Sequence, residues 1–417
     1  VVSATARQND PLRTRILDAA TDLFQQDGYQ GTTADDISES ANITKRTLYK
    51  RMGDKETILF EIHDRFLSDL REALGEVPTS EHKLQSLAKA HLDTITNHQS
   101  AIRVFYEETK HLSPLYRARI ISRRQEYWHL VQDIIRDEVA AGIFRKINVR
   151  IAAHTILGAL NESYRWYRPD GSLPPHEIAD FITDLFARGL LTEPVELPPL
   201  PSAPAPEIEL SGKWVENPTL AAILAAATVL FSRNGYTGTT TRELAEQLDM
   251  TKALLYYHIH SKDELLVQII DRMNKIGVAA AEQIVSSEPD PVRCLQRLIV
   301  MHAEQIVSQS AAFTVFNEDY KYLSPENRAL LSVDRDKYAD LWQEVIIAGQ
   351  RSGALRKIDP RLTVLTILGS LNAIYRWYQK SGRLTAREIG SDMADMILFG
   401  LQNKPLGPGG NGAATTR

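Results

Sequence analysis

Apolar side chains return at three- and four-residue steps along nearly the whole chain, the spacing that gathers them on one face of an α-helix. Leu12, Ile16, Ala19, Ala20, Leu23 and Phe24 make one such stripe, and Leu220, Ile223, Leu224, Ala227, Leu230 and Phe231 make another. Each stripe is entered through a capping residue and a proline, Asp10-Pro11 and Asn217-Pro218. Each closes on Gly-Tyr, Gly28-Tyr29 and Gly235-Tyr236, where glycine supplies the left-handed turn that stops a helix. No segment alternates with the period of a strand. The pattern predicts an all-α protein.

The two stripes belong to one pattern written twice. Residues 16–56 and 223–263 align without a gap at an offset of 207, with 18 of 41 positions identical. Further on, LGALNESYRWY at 157–167 returns as LGSLNAIYRWY at 368–378, now at an offset of 211. Between these anchors Leu112-Ser113-Pro114 is matched by Leu323-Ser324-Pro325. The joint is a proline-rich run, with six prolines in 194–206, which removes backbone donors and favours extended polyproline II. The expected division is a first short helical head at 10–56, a helical body at 57–192, a linker at 193–213, a second head at 214–263, a second body at 264–403 and a disordered tail at 404–417.

Composition narrows the class. Charged residues make up 24% and hydrophobic residues 43% of 417 positions, as in ordinary globular proteins, and no run reaches the length of a membrane span. The N-terminal stretch lacks the apolar core of a secretory signal, so a cytoplasmic protein is expected. The single cysteine, Cys294, forms no intrachain disulfide and reads as a buried structural thiol. No phosphate-cradling glycine loop or nucleophile elbow is present, which argues against an enzyme. Glu107, Glu108 and His111 have ligand-like spacing, but the second copy carries Tyr322 in place of the histidine, and a solvated helix face accounts for them without a metal. No cofactor is expected.

The formal net charge of −5 argues against indiscriminate nucleic-acid binding, yet charge is local. Between Thr44 and Lys55 the chain carries Lys45, Arg46, Lys50, Arg51 and Lys55 against Asp54 alone. Just upstream, Thr33 with Asp36 and Thr240 with Glu243 have capping-box spacing, which puts hydroxyls and free amides at a helix start suited to phosphate oxygens. A second short helix is expected from Thr44 or Thr251, with Leu48 or Leu255 facing inward and the residues before it outward, as a helix entering the major groove requires. Lys55 and Lys262 are expected to begin the next helix, aimed at a phosphate.

The order Phe-x3-Gly-Tyr, Thr-Thr, Thr-Lys, Leu-Tyr and Lys-Asp/Glu, present in both copies, resembles the TetR family of bacterial transcriptional regulators. The resemblance implies double-stranded DNA and a small-molecule effector as partners. It implies that Thr33, Thr44, Tyr49 and Lys55 hold phosphates while Lys45, Arg46 and Thr47 approach base edges. In copy two Thr240, Thr251, Tyr256 and Lys262 correspond to the first group and Lys252, Ala253 and Leu254 to the second, with Tyr257 and His258 beside them. Arg46 suits guanine, whereas Ala253 and Leu254 offer only apolar contact, so the halves are expected to read different sequences. Two other readings stay open: a regulator in which the first head alone binds DNA, and a ligand-binding or interaction protein with degenerate heads. Arg7, Arg13 and Arg15 suggest a basic arm ahead of copy one.

The Leu-Gly-x2-Asn-x4-Trp-Tyr segment is similar to ligand domains of this family that sense acyl-CoA-like or other hydrophobic metabolites. Candidate pocket residues are Phe105, Tyr106, Tyr127, Trp128, Asn161, Tyr164 and Trp166, and in copy two Phe313, Phe316, Asn372, Tyr375 and Trp377. Aromatics at helical spacing are as readily plain core. Asn161 and Asn372 are more informative, because an amide on an apolar helix must be hydrogen-bonded to something. Arg165 and Arg376 would neutralise an anionic ligand or pair with acids near the bundle surface. Family members are generally single-repeat homodimers, and here segments 148–167, 177–191, 359–378 and 386–401 have the apolar faces for a four-helix seam, giving an intrachain pseudo-dimer.

Overall fold

The computed structural model describes residues 10–75, 83–191 and 206–403. Most of the proline-rich run, the 404–417 tail and Arg7 lie outside these residues. Copy one comprises α1 (Pro11–Gly31), α2 (Ala34–Ser40), α3 (Lys45–Met52), α4 (Lys55–Gly75), α5 (Lys83–Asn97), α6 (Gln99–Glu107), a 3-10 turn (Thr109–His111), α7 (Pro114–Ala140), α8 (Val149–Trp166) and α9 (Pro175–Leu191). A short α10 (Lys213–Glu216) then introduces copy two: α11 (Pro218–Asn234), α12 (Thr241–Gln247), α13 (Lys252–His258), α14 (Lys262–Ser287), α15 (Pro291–Ser308), α16 (Ser310–Asp319), a 3-10 turn (Tyr320–Tyr322), α17 (Pro325–Arg351), α18 (Pro360–Asn372), α19 (Ile374–Trp377) and α20 (Ala386–Leu401). Among the described residues there is no strand, only one antiparallel bridge between Leu355 and Gln402.

The helix starts follow from local chemistry. Asp10 accepts from the Leu12 amide at 3.1 Å and Asn217 from the Thr219 and Leu220 amides, each ahead of a proline at the first turn. Gly28 and Gly235 sit at φ +76° and +78°, the left-handed region that glycine enters without a Cβ clash. The 359–378 segment of copy two, expected as one run, is broken: α18 stops at Asn372, and a tight Arg376 N–H to Ala373 carbonyl bond of 3.1 Å starts α19.

Three apolar cores result. One lies under the first head, built around Ile16, Phe24, Leu48 and Ile62 with Phe105 and Tyr164. A second, around Ile223, Phe231, Leu255 and Ile270, lies under the second head and takes in Trp214 from α10. The third draws on both copies together, joining Leu157, Ile182 and Leu185 to Ile367, Met393 and Leu398. Within it α8 packs on α18 and α9 on α20, the four expected segments. Glycines set the closeness: a Cβ on Gly189 would overlap the Met396 carbonyl, and one on Gly400 would overlap the Leu185 carbonyl. Positions 189 and 400, like 185 and 396, differ by 211, so the crossing is the same contact made twice about a pseudo-two-fold axis.

Cys294 is buried, and burial pushes its thiol up to about 12. No described helix is long and apolar enough to cross a membrane.

Candidate nucleic-acid interface

Each head is a three-helix unit whose second and third helices are capped as their sequences require. Thr33 accepts from the Asp36 amide at 3.2 Å while Asp36 accepts from the Thr33 amide at 2.7 Å. Thr240 and Glu243 repeat this at 3.1 and 2.8 Å. Thr44 caps α3 through the Thr47 amide at 3.2 Å, and Thr251 caps α13 through the Leu254 amide at 3.1 Å. Leu48 and Leu255 are buried. Arg46, Tyr49 and Lys50 on α3 are exposed, as are Lys252, Ala253, Leu254, Tyr256 and Tyr257 on α13, with Thr47 and His258 partly covered. Tyr257 is 83% exposed. Lys45 is also exposed, but its ammonium rests on Asp35 at 2.9 Å, and the Tyr256 hydroxyl lies 3.3 Å from Thr241.

Two expectations about cations are corrected. Lys55 and Lys262 do begin α4 and α14, but they point inward. Lys55 donates to the Tyr29 and Thr32 carbonyls at 2.7 and 2.8 Å and lies 4.2 Å over the Tyr29 ring. Lys262 does the same to the Tyr236 and Thr239 carbonyls at 2.7 and 2.9 Å, again 4.2 Å over a tyrosine ring. These carbonyls lie where the Gly-Tyr corner breaks the helix, and the ammonium satisfies them, Tyr236 also accepting a long bond of 3.4 Å from the Thr239 amide. Arg13 likewise lies on α1 against Glu61 and the Arg51 carbonyl rather than in an arm, while Arg15 is exposed.

The corners rest on a buried charged cluster at the seam. Glu107 and Glu108, expected on a solvated face, are 4% and 2% exposed. They hold Lys321 of copy two at 2.8 and 2.7 Å, and reciprocally Lys110 is held by Glu318 and Asp319 at 2.9 and 3.6 Å. Burial works against the two ammonium groups, yet the facing carboxylates keep both above the ordinary lysine range. Asp319 is lifted by burial to about 7. Glu108 also accepts from the Tyr29 amide at 3.2 Å, and Tyr29 stacks on His111 at 5.4 Å. Contacts then cross between copies: a Cβ at Gly28 would collide with the Tyr322 hydroxyl, and one at Gly235 would lie 3.1 Å from Lys110. Each head therefore leans on the opposite body.

The candidate ligand residues do not converge on one pocket. Phe105 and Tyr164 belong to the core under the first head, with Tyr106 packed on it, and Phe316 packs on the core under the second. Phe313 belongs to the shared core, and Tyr127, Trp128, Trp166, Tyr375 and Trp377 pack against it. Asn161 is satisfied within the protein, accepting from His91 Nε2 at 3.0 Å while Nδ1 of that ring accepts from Tyr127. Asn372 repeats this with His302 at 3.0 Å and Tyr338 at 2.7 Å. Burial pushes both imidazoles down to about 4, so they are neutral. The histidines were legible but unread, since 91 and 302 are related by the same offset of 211. Arg165 and Arg376 meet no surface acid, and both pair with buried Glu162. A cleft of about 280 Å³ opens beside Tyr375 and Tyr378, walled by Ile306, Ser310 and Thr314. No cluster of metal-ligating side chains occurs among the described residues.

Two helix-turn-helix heads on helical bodies define a bacterial DNA-binding regulator, and the family model for "Bacterial regulatory proteins, tetR family" matches residues 16–62 and again 223–269. The model described as "Tetracyclin repressor-like, C-terminal domain" matches 78–190 and 288–401. The chain belongs to the TetR family and carries both of its modules twice. It is similar to the HTH-type transcriptional repressor KstR2 of Rhodococcus jostii, with 31% identity over 184 residues, 43% of this chain and 90% of the relative. The fatty acid metabolism regulator protein of Bacillus subtilis is 21% identical over 190 residues, 44% of this chain and 98% of its own. Among solved structures, the TetR-family regulator PfmR of Thermus thermophilus is 33% identical, with 43% of this chain and 98% of that one covered and a TM-score of 0.41.

Proposed function

We propose that this chain is a ligand-responsive repressor that works as a single-chain pseudo-dimer, reading a non-palindromic operator with two different heads. The observation that carries the proposal is that both heads keep their threonine caps and outward-facing α3 and α13, while the bodies behind them share one core. Thr33, Thr44, Tyr49, Thr240, Thr251 and Tyr256 grip phosphates. Lys45, Arg46, Thr47 and Lys50 read one half-site, and Lys252, Ala253, Leu254, Tyr257 and His258 read the other. Lys55 and Lys262 act through their charge and by fixing the corner above it, because their N–H groups already serve carbonyls.

A hydrophobic or acyl-CoA-like effector that enters a body, for which the cleft beside Tyr375 and Tyr378 is an opening, changes the tilt of the heads. Successive major grooves lie about 34–36 Å apart, so heads moved off that spacing lose affinity. A second reading, in which only head one contacts DNA, draws on the sparse charge of α13, where Lys252 is the only lysine or arginine against Lys45, Arg46, Lys50 and Arg51 on α3. Footprinting on the DNA upstream of the protein's own gene separates the readings: two dissimilar protected half-sites are expected, one half-site would leave head one alone, and none would overturn DNA reading altogether.

A further inference from the structure

The α8–α18 seam is built from one pattern written twice with several apolar and small-residue changes, and a carboxylate is present in one copy alone. Gly158 and Gly369, Asn161 and Asn372, and Arg165 and Arg376 correspond at an offset of 211, but the position held by Glu162 in copy one is held by Ala373 in copy two. Glu162 is 2% exposed and its two oxygens are divided between the copies: Oε2 takes Arg165 at 2.7 Å and Oε1 takes Arg376. Arg165 reaches across to the Asn317 carbonyl at 2.7 Å, while Arg376 reaches back to lie 4.0 Å from the Tyr106 ring. The backbones around them are close in both directions. A Cβ on Gly369 would lie 3.2 Å from that of Glu162, and one on Gly158 would lie 3.0 Å from that of Ala373.

We infer that Glu162, the lone carboxylate between Arg165 and Arg376, specifies that copy two pairs with copy one and not with another copy two. The inference rests on the pseudo-dimer reading and adds its partner choice. A seam of two copy-one surfaces would bring two Glu162 to two Arg165, and the charges balance. A seam of two copy-two surfaces would bring two Arg376 together beside Ala373, and buried cations without a carboxylate are strongly disfavoured. Glu318 lies within electrostatic reach of Arg376 but does not pair with it directly, because Glu318 and Asp319 hold Lys110, and in a copy-two pair they would face Lys321. Copy one can therefore pair with copy two or with another copy one, but no four-headed particle grows through a seam of two copies two.

The test starts from the full chain carrying a protease site within 194–206, mixed with an isotope-labelled preparation, cut, and counted by native mass spectrometry. The cut wild type is expected to hold together as one-with-two pairs and to give no two-with-two species. Glu162→Ala should weaken the pairing by about tenfold or more, and adding Ala373→Glu to it should restore pairing, because the carboxylate then comes from the pseudo-equivalent place. Ala373→Glu alone should allow two-with-two pairs. Halves of the cut wild type that drift apart would overturn the pseudo-dimer reading itself. Halves that stay paired, with Glu162→Ala unchanged, no rescue, or two-with-two pairs in the wild type, would overturn this inference alone.

Discussion

Arg46 is an exposed guanidinium on α3 that pairs with no acid among the described residues, in contrast to Lys45, which rests on Asp35, and Arg51, which rests on Asp10. A bidentate contact to guanine fits it, so Arg46→Ala should lower discrimination at one base of one half-site by about 1–3 kcal/mol. Titration against single-base operator variants checks this, and an equal loss on every sequence would make Arg46 a phosphate contact. The buried histidines set a second test. Burial pushes His63, His91 and His302 down to about 4, whereas the unfolded chain protonates near 6.5. Between those values the unfolded state binds more protons, so this stability is present above about pH 6.5 and is lost as pH falls toward 4. Asp319, raised by burial to about 7, acts with the opposite sign, its stabilisation fading as pH rises toward that value. Urea midpoints should fall from about pH 7 to about pH 5, and His91→Gln with His302→Gln should make that fall shallower. These histidines show where residue-level reading stops. Asn161 and Asn372 announced a partner, but their partners lie 70 positions away, and only comparison of the copies singles them out.

Helix starts and stops were the most legible features, because caps, prolines and the Gly-Tyr corners act within a few residues. How the helices cross was not legible. The α9–α20 crossing depends on Gly189 meeting Met396 and Gly400 meeting Leu185, and nothing local marks these glycines as contact points. The same holds for Lys55 and Lys262, whose charge looked outward in the sequence but is claimed by carbonyls freed at a helix end 23 and 26 positions earlier. Gly189→Ala and Gly400→Ala should each cost about 1–3 kcal/mol through overpacking, and by similar amounts, since they are the same contact about the pseudo-axis. Gly142→Ala separates this from backbone strain: φ there is +72° and no atom lies within 4 Å, so only the conformational cost remains. Unfolding in urea ranks the three, and a large difference between Gly189→Ala and Gly400→Ala would show the crossing to be unequal.

For the whole molecule, the tandem order was visible as a double pattern, and the shared core places the four expected helices together. What the pattern did not reveal is that Glu107, Glu108, Glu318 and Asp319 are interior groups, because their lysine partners lie in the other copy. In the proposed pseudo-dimer, covalent joining makes pairing an intramolecular event at about millimolar effective concentration, so affinity for the proposed operator should not change as protein is diluted. Tyr256→Phe should weaken that affinity, measured by gel shift on the full operator; no change would assign DNA contact to the first head alone. The crossed supports, Tyr322 against Gly28 and Lys110 against Gly235, carry a further consequence for descent. Each half props the Gly-Tyr corner of its twin, and these corners match between the copies although Arg46-Thr47 has parted from Ala253-Leu254 at the outward tips. Suppressors of a lesion in one tip's footing should accordingly map to the opposite end of the gene.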